Sequence, residues 1–119
     1  MPLLNVLGQP LKICCADPPT GYFRDGLCRT DERDLGRHTV CAQMTSQFLA
    51  FTQSQGNDLI TPRPEWGFAG LQPGDHWCLC VLRWKQALDA NLAPPVLLAR
   101  CSESALQYVT LAQLQANAV

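Results

Sequence analysis

In "GDHWCLCVLRW", residues 74 to 84, His76, Cys78 and Cys80 stand at every second position, with Trp77, Leu79 and Val81 between them. That period is the period of an extended strand, whose side chains point to opposite faces in turn. The face of Trp77, Leu79 and Val81 is core. The face of His76, Cys78, Cys80 and Leu82 has two readings. Unpaired cysteine packs as a small apolar group, yet its sulfur also ligates metals and attacks electrophiles. Either way the strand needs cover on both sides, so the chain must build layers around it. Pro73, Gly74 and Asp75 turn the chain into this strand, which is predicted from His76 to about Leu82.

The rest of the chain supplies the cover. In "HTVCAQMTSQFLAFTQSQGN", Cys41, Met44, Phe48 and Phe51 recur at spacings of three and four. This predicts a helix with Thr39 as its N-cap and Gly56 at its end. "RWKQALDANL" predicts a second helix with Trp84, Ala87 and Leu88 on one face, stopped by Pro94 and Pro95. "VLLARC" reads as another buried strand. Ser104 with Gln107, and Thr110 with Gln113, have capping-box spacing and predict two short helices, the last with Leu111, Leu114 and Ala118 inward. Near the N-terminus Val6, Leu7, Leu11 and Ile13 suggest short extended pieces broken by Gly8 and Pro10. Residues 15–37, with "DPPTG" and "RDG" turns, read as loop, and the breaker-rich stretch from Asp58 to Asp75 as a packed loop carrying Trp66, Phe68 and Leu71. The fold class is α+β: a short sheet packed against about three to four helices, with long ordered loops.

A chain of 119 residues is one domain, 1–119, and buries about two-thirds of its unfolded surface without a crosslink or a metal. Apolar residues make up 47% and charged residues 16% of it, which excludes disorder. Its net charge is −1, and its nine basic residues are scattered. Nucleic acid and anionic membrane are therefore excluded as main partners. The partner is left unassigned, with self-assembly as a homo-oligomer among the options. The start, "MPLLNVLGQPLKICC", reads as the opening of the domain rather than a signal peptide, and no apolar run is long enough for a membrane span. The expected compartment is the cytoplasm, where thiols stay reduced. Seven cysteines, at 14, 15, 28, 41, 78, 80 and 101, are an odd number that cannot all pair within one chain, so a secreted disulfide scaffold is disfavoured. A bond between Cys78 and Cys80 is disfavoured too, since their alpha carbons would stand about 6.6 Å apart in a strand.

The candidate chemistry gathers at two stretches. In "HTVC", Cys41 would fall in the first turn of the predicted helix, where unpaired N–H groups favour a thiolate. His38 is three residues away as general base, with Asp25 or Asp34 as the orienting carboxylate. Burial in the apolar stripe explains Cys41 equally well. Cys78, Cys80, Cys41 and His38 together would offer zinc its preferred nitrogen and sulfur ligands, with His76, Cys14, Cys15 and Cys28 as further candidates, although no Cys-x-x-Cys pair exists. Arg24 and Asp25 in "YFRDG" read either as an anion site or as a local ion pair, and Asp75 is the carboxylate nearest His76. Trp66 and Phe68 offer a docking surface.

"NVLGQPL", "DPPTGYFRDGLC", "DLGRHTVCAQMTSQFLAF", "GNDLITPRPE", "GFAGLQPGDHWCLCVLRWKQAL" and "ALQYVTLAQL" together resemble one family of small bacterial proteins, domain of unknown function 2237. The resemblance runs from about residue 4 to 119. Cys14, Asp17, Arg24, Asp25, Cys28, His38, Cys41, Cys78 and Cys80 are among the positions that carry it. Cys15 stands where a small polar residue is expected, Leu27 where a second cysteine is frequent, and His76 where a basic residue is usual, which makes His38 the better candidate histidine. The resemblance implies one domain and assigns no reaction. Two functions follow as expectations: a small binding or catalytic domain with a Cys/His-lined site using Cys41, His38, Asp25, Arg24 and Trp66, or a non-catalytic interaction module whose cysteines are core.

Overall fold

A computed structural model describes residues 3–15 and 20–119, so Asp17 and most of the "DPPTG" turn lie outside the described residues. Among the described residues the sheet has two strands, β1 (His38–Gln43) and β2 (His76–Cys80), paired antiparallel with Val40 opposite Leu79 and Cys41 opposite Cys78. A bulge lies between His38 and Val40, and His38 stands opposite Cys80. The two stretches singled out in the sequence are therefore the two halves of one ladder.

"HTVCAQ" is a strand, not the start of a helix. β-branched Thr39 and Val40 suit an extended chain, and β2 supplies the partner that a single sequence window cannot reveal. The helix α1 is only Ser46–Ser54, and its N-cap is Thr45, whose hydroxyl accepts the Phe48 N–H at 3.0 Å. Cys41, Met44 and Phe48 are all buried as the helical spacing demanded. The first lies on a strand, however, and the second on its exit, so the 3–4 spacing matched the core across an element boundary. Gly56, with φ of 95°, follows the helix end as expected.

β2 stops at Cys80, two residues short of the expected Leu82, and α2 (Val81–Asp89) begins at once. The Val81 N–H makes one last cross-strand bond, to the Arg37 carbonyl at 3.0 Å, as the chain turns into the helix. Trp84 is fully buried on the inner face of α2, and its indole N–H donates to the Pro94 carbonyl at 3.1 Å. That bond removes the cost of burying an indole donor. "VLLARC" is not a strand. Val96 bridges Ala42 of β1 and Ala118, after which Leu98–Arg100 closes into one turn of 3-10 helix. Ser102, not Ser104, caps the next 3-10 turn, Glu103–Gln107. The Thr110–Gln113 capping box is present and opens α3 (Leu111–Ala116), which buries Leu114.

The core lies between this two-stranded sheet and the helices, with Phe48, Met44, Leu79, Trp84 and Leu114 fully enclosed. The architecture is a small α+β domain with three α-helices among the described residues, the lower bound of the expected number. Among the described residues no helix is long and apolar enough to cross a membrane. Leu71 in the 58–75 loop is buried and Phe68 packs on Trp77 with ring centres 5.4 Å apart, while Trp66 stays 72% exposed.

Candidate functional site

The tight turn before β1 sets up an acid and a base. Asp34 is buried, and one of its carboxylate oxygens accepts the His38 N–H at 2.9 Å and the Thr30 hydroxyl at 3.0 Å. The other stands 2.7 Å from His38 Nδ1. Burial alone would raise the Asp34 carboxyl, but hydrogen bonds from the His38 backbone and ring outweigh it and hold the group below its ordinary value. An ionised carboxylate can only accept, so Nδ1 carries a proton and Nε2 is left to face a ligand. The ring reaches this position because it lies against Gly36: a methyl there would stand 2.7 Å from His38 Cε1. Of the two carboxylates offered by the sequence, the orienting one is Asp34. Asp25 belongs to Arg29 at 2.7 Å and accepts the Leu27 N–H at 3.1 Å, a local ion pair and turn. It does not line the cleft described next.

His38 opens on a cleft of about 500 Å³ between the 21–24 loop, the sheet and residues 56–68. Tyr22, Phe68, Trp66 and Trp77 give it aromatic walls, and Arg24, Arg63 and Asp58 give it charge. The Arg24 guanidinium lies 5.1 Å from the centre of the Trp77 ring, and that of Arg63 5.8 Å from Trp66. Among the described residues neither arginine makes a salt bridge. Arg24 also sits at φ of 58°, a left-handed backbone that costs a non-glycine residue about 1 kcal/mol or more. Its loop is held by Gly21, where any side chain would strike the Leu27 carbonyl. Among the described residues Asp58 is the cleft's one acidic residue. Hydrogen bonds from the Thr61 hydroxyl and from the Thr61 and Ile60 N–H groups hold its carboxyl down to about 2, so that charge is already engaged. Two cations over aromatic faces, with one carboxylate tied to its own loop, favour an anion with a planar part.

Of the cysteines, Cys78 lines this cleft. Cys41 is bonded to Cys14 and Cys28 to Cys78, all four buried. This corrects the expectation of reduced thiols throughout, because residues 27 and 50 positions apart meet only in the folded chain. It also corrects Cys41 as a nucleophile: the residue is on a strand, not in the first turn of a helix, is 0% exposed, and has its sulfur in a covalent bond. The proposed ligand set of Cys78, Cys80, Cys41 and His38 is split. Cys80 is a half-buried free thiol at the start of α2, across the ladder from His38. The sulfurs of Cys14, Cys28 and Cys78, by contrast, all lie within 4.8 Å of one another. Cys15 is free and half-buried, and Cys101 is free and buried, its thiol pushed up to about 12 by burial. His76 takes no part. Its Nδ1 meets the Arg100 guanidinium at 3.4 Å, and Asp75 accepts the Gln72 N–H instead of orienting it.

The structure thus joins Arg24, His38 and Trp66 in one cleft and leaves out Asp25, Cys80 and Cys41. The sequence reading missed Arg63, Tyr22 and Trp77 as wall residues. An arginine held between two prolines in "TPRPEW" was the available signal for the first. Trp77 had none, since its alternation marked it as core.

A family model described as "Uncharacterized protein conserved in bacteria (DUF2237)" matches residues 4–118. The chain belongs to this family. No curated protein matches it. In this family member the cleft residues Arg24 and His38 and all four bonded cysteines lie within the matched span.

Proposed function

We propose that this DUF2237 member binds a small anion carrying a planar group in the cleft, and that His38 exchanges a proton with it. The observation that carries the reading is Arg24, held in a left-handed backbone over Trp77 on the same cleft as the Asp34-oriented His38 ring. Backbone strain of that kind persists only where surrounding structure enforces it, and it gathers at binding sites. Arg24 and Arg63 would take the charge, Trp66 and Trp77 the plane, and His38 Nε2 the proton. An aryl carboxylate or aryl phosphate has this chemistry. The compartment in this reading is the cytoplasm, where the two disulfides would be broken and remade. The ligand type that zinc prefers is gathered at the buried sulfurs of Cys14, Cys28 and Cys78.

A titration with a panel of aryl carboxylates and aryl phosphates, followed by tryptophan fluorescence, tests it. Trp66 and Trp77 report on the cleft, whereas Trp84 is buried elsewhere. Saturable quenching that Arg24→Ala weakens at least about tenfold supports the reading, the loss of one charge-assisted contact. The 72% exposure of Trp66 favours a second reading, an interaction module whose partners include a second copy of the chain. No quenching by any member of the panel, with a change in assembly state on Trp66→Ala, would establish that reading instead.

A further inference from the structure

Four cysteines from four separate segments converge beside the cleft. Cys14 lies in the N-terminal stretch, Cys28 in the loop before β1, Cys41 on β1 and Cys78 on β2. The sulfurs of the two disulfides lie against each other, with those of Cys14, Cys28 and Cys78 mutually within 4.8 Å. A tetrahedral zinc with Zn–S of about 2.3 Å holds its sulfurs about 3.8 Å apart. Cys14 stands within 4.8 Å of both Cys28 and Cys78, and the latter two, bonded to each other, must move apart by about 2 Å to reach that spacing. The fourth, Cys41, is bonded to Cys14 but does not belong to that mutually close group, so it joins the metal only through side-chain rotation once its bond is released. All four residues are at most 1% exposed, the closed surroundings of a structural zinc site.

We propose that Cys14, Cys28, Cys41 and Cys78 form a zinc site that exists only when both disulfides are reduced. Each disulfide takes two electrons and two protons from a dithiol reductant, which leaves as its own disulfide. Four thiols result, and zinc displaces their four protons to give the tetrathiolate. Of the four, Cys78 is the one that lines the cleft, beside Gly21, and at 1% exposure its sulfur is reached by a reductant only when that wall opens. A methyl at Gly21 would stand 3.7 Å from the Cys78 sulfur. The metal would then replace the two crosslinks, tying the same four segments together and keeping the 21–24 wall in place under reducing conditions. The site is independent of the ligand read into the cleft.

The test is a cobalt titration of the full untagged chain at neutral pH, before and after a phosphine reductant, with thiols counted and circular dichroism recorded. The oxidised protein should take no cobalt. The reduced protein should take one per chain, with an intense sulfur-to-cobalt charge-transfer band that zinc abolishes. Cys15→Ser/Cys80→Ser should retain the band, and Cys28→Ser should weaken cobalt binding at least about tenfold. If reduction unfolds the chain, addition of the metal should restore the native spectrum. A reduced, folded protein without the band overturns the proposal, as does a reduced chain that the metal fails to refold. It is equally overturned by a site that survives Cys28→Ser and disappears in the Cys15→Ser/Cys80→Ser variant.

Discussion

One two-stranded ladder carries two pairings of opposite character. At one, in the middle of the ladder, Cys41 faces Cys78, both buried and each bonded to a loop cysteine. At the other, His38 faces Cys80, both half-buried, the histidine oriented by Asp34 and the thiol free. Both pairings put a cysteine on β2, two positions apart. Their chemistry is set by what arrives from elsewhere in the chain: the 14 and 28 segments close over one pairing, and the Asp34 turn and the cleft meet the other. Position on a strand gives a cysteine or histidine a direction, and burial with its partners gives it a role.

The largest effect should come from the crosslinked pairing. Bonds that close 27 and 50 residues correspond to about 3.5 and about 4 kcal/mol in chain-entropy terms. The loops interleave, so the two contributions are not additive. Reduction in the presence of a chelator should lower the urea midpoint by an amount corresponding to several kcal/mol. A midpoint that does not move would mean the crosslinks constrain nothing that folding leaves free.

At the other pairing, Asp34→Ala leaves the His38 N–H and ring and the Thr30 hydroxyl without their acceptor, at a cost of about 2–3 kcal/mol. The isosteric Asp34→Asn isolates the charge. Because the folded carboxyl is held below its unfolded value of about 3.9, its stabilisation is fully present above about pH 4. It is lost as pH falls through the lower folded value. Urea unfolding of the native protein and of Asp34→Asn from pH 5 to pH 2 should therefore converge on acidification. Asp25, Asp31 and Asp58 titrate identically in both proteins and drop out of the difference. Parallel curves would deny the pairing.

Arg24 sharpens the contrast between strain and stability. Arg24→Gly removes the left-handed penalty while loosening the unfolded chain, so stability should change by less than about 1 kcal/mol. Aryl-anion quenching should fall at least about tenfold. A large loss of stability would make Arg24 a structural residue. The smallest effect is kinetic and needs no mutation. Native thiol labelling should reach half-buried Cys15 and Cys80 and leave buried Cys101 untouched, its thiol pushed up to about 12. Fast labelling of Cys101 would show that the core around it opens readily.

Some of this was legible before any coordinates. The alternation in "HWCLC" specified β2, the Trp84, Ala87 and Leu88 spacing specified the inner face of α2, and the Thr110–Gln113 pair specified the start of α3. Each is a signal carried within one element by neighbouring residues. The α+β class followed, and so did the interest of Arg24, His38 and Trp66, whose chemistry is visible in their side chains alone. The tertiary structure decided the rest. "HTVCAQ" became a strand because β2 lies beside it, and "VLLARC" failed to become one because its backbone closes into a turn after Val96. Asp34 displaced Asp25 as the partner of His38 because a four-residue turn brings it within 2.7 Å. Cys41 changed from candidate nucleophile to crosslink because Cys14 is folded against it. Side-chain periodicity is a local property of the chain, whereas pairing, burial and proximity depend on residues far away in sequence, and these are what turn a cysteine or a carboxylate into one chemical group or another.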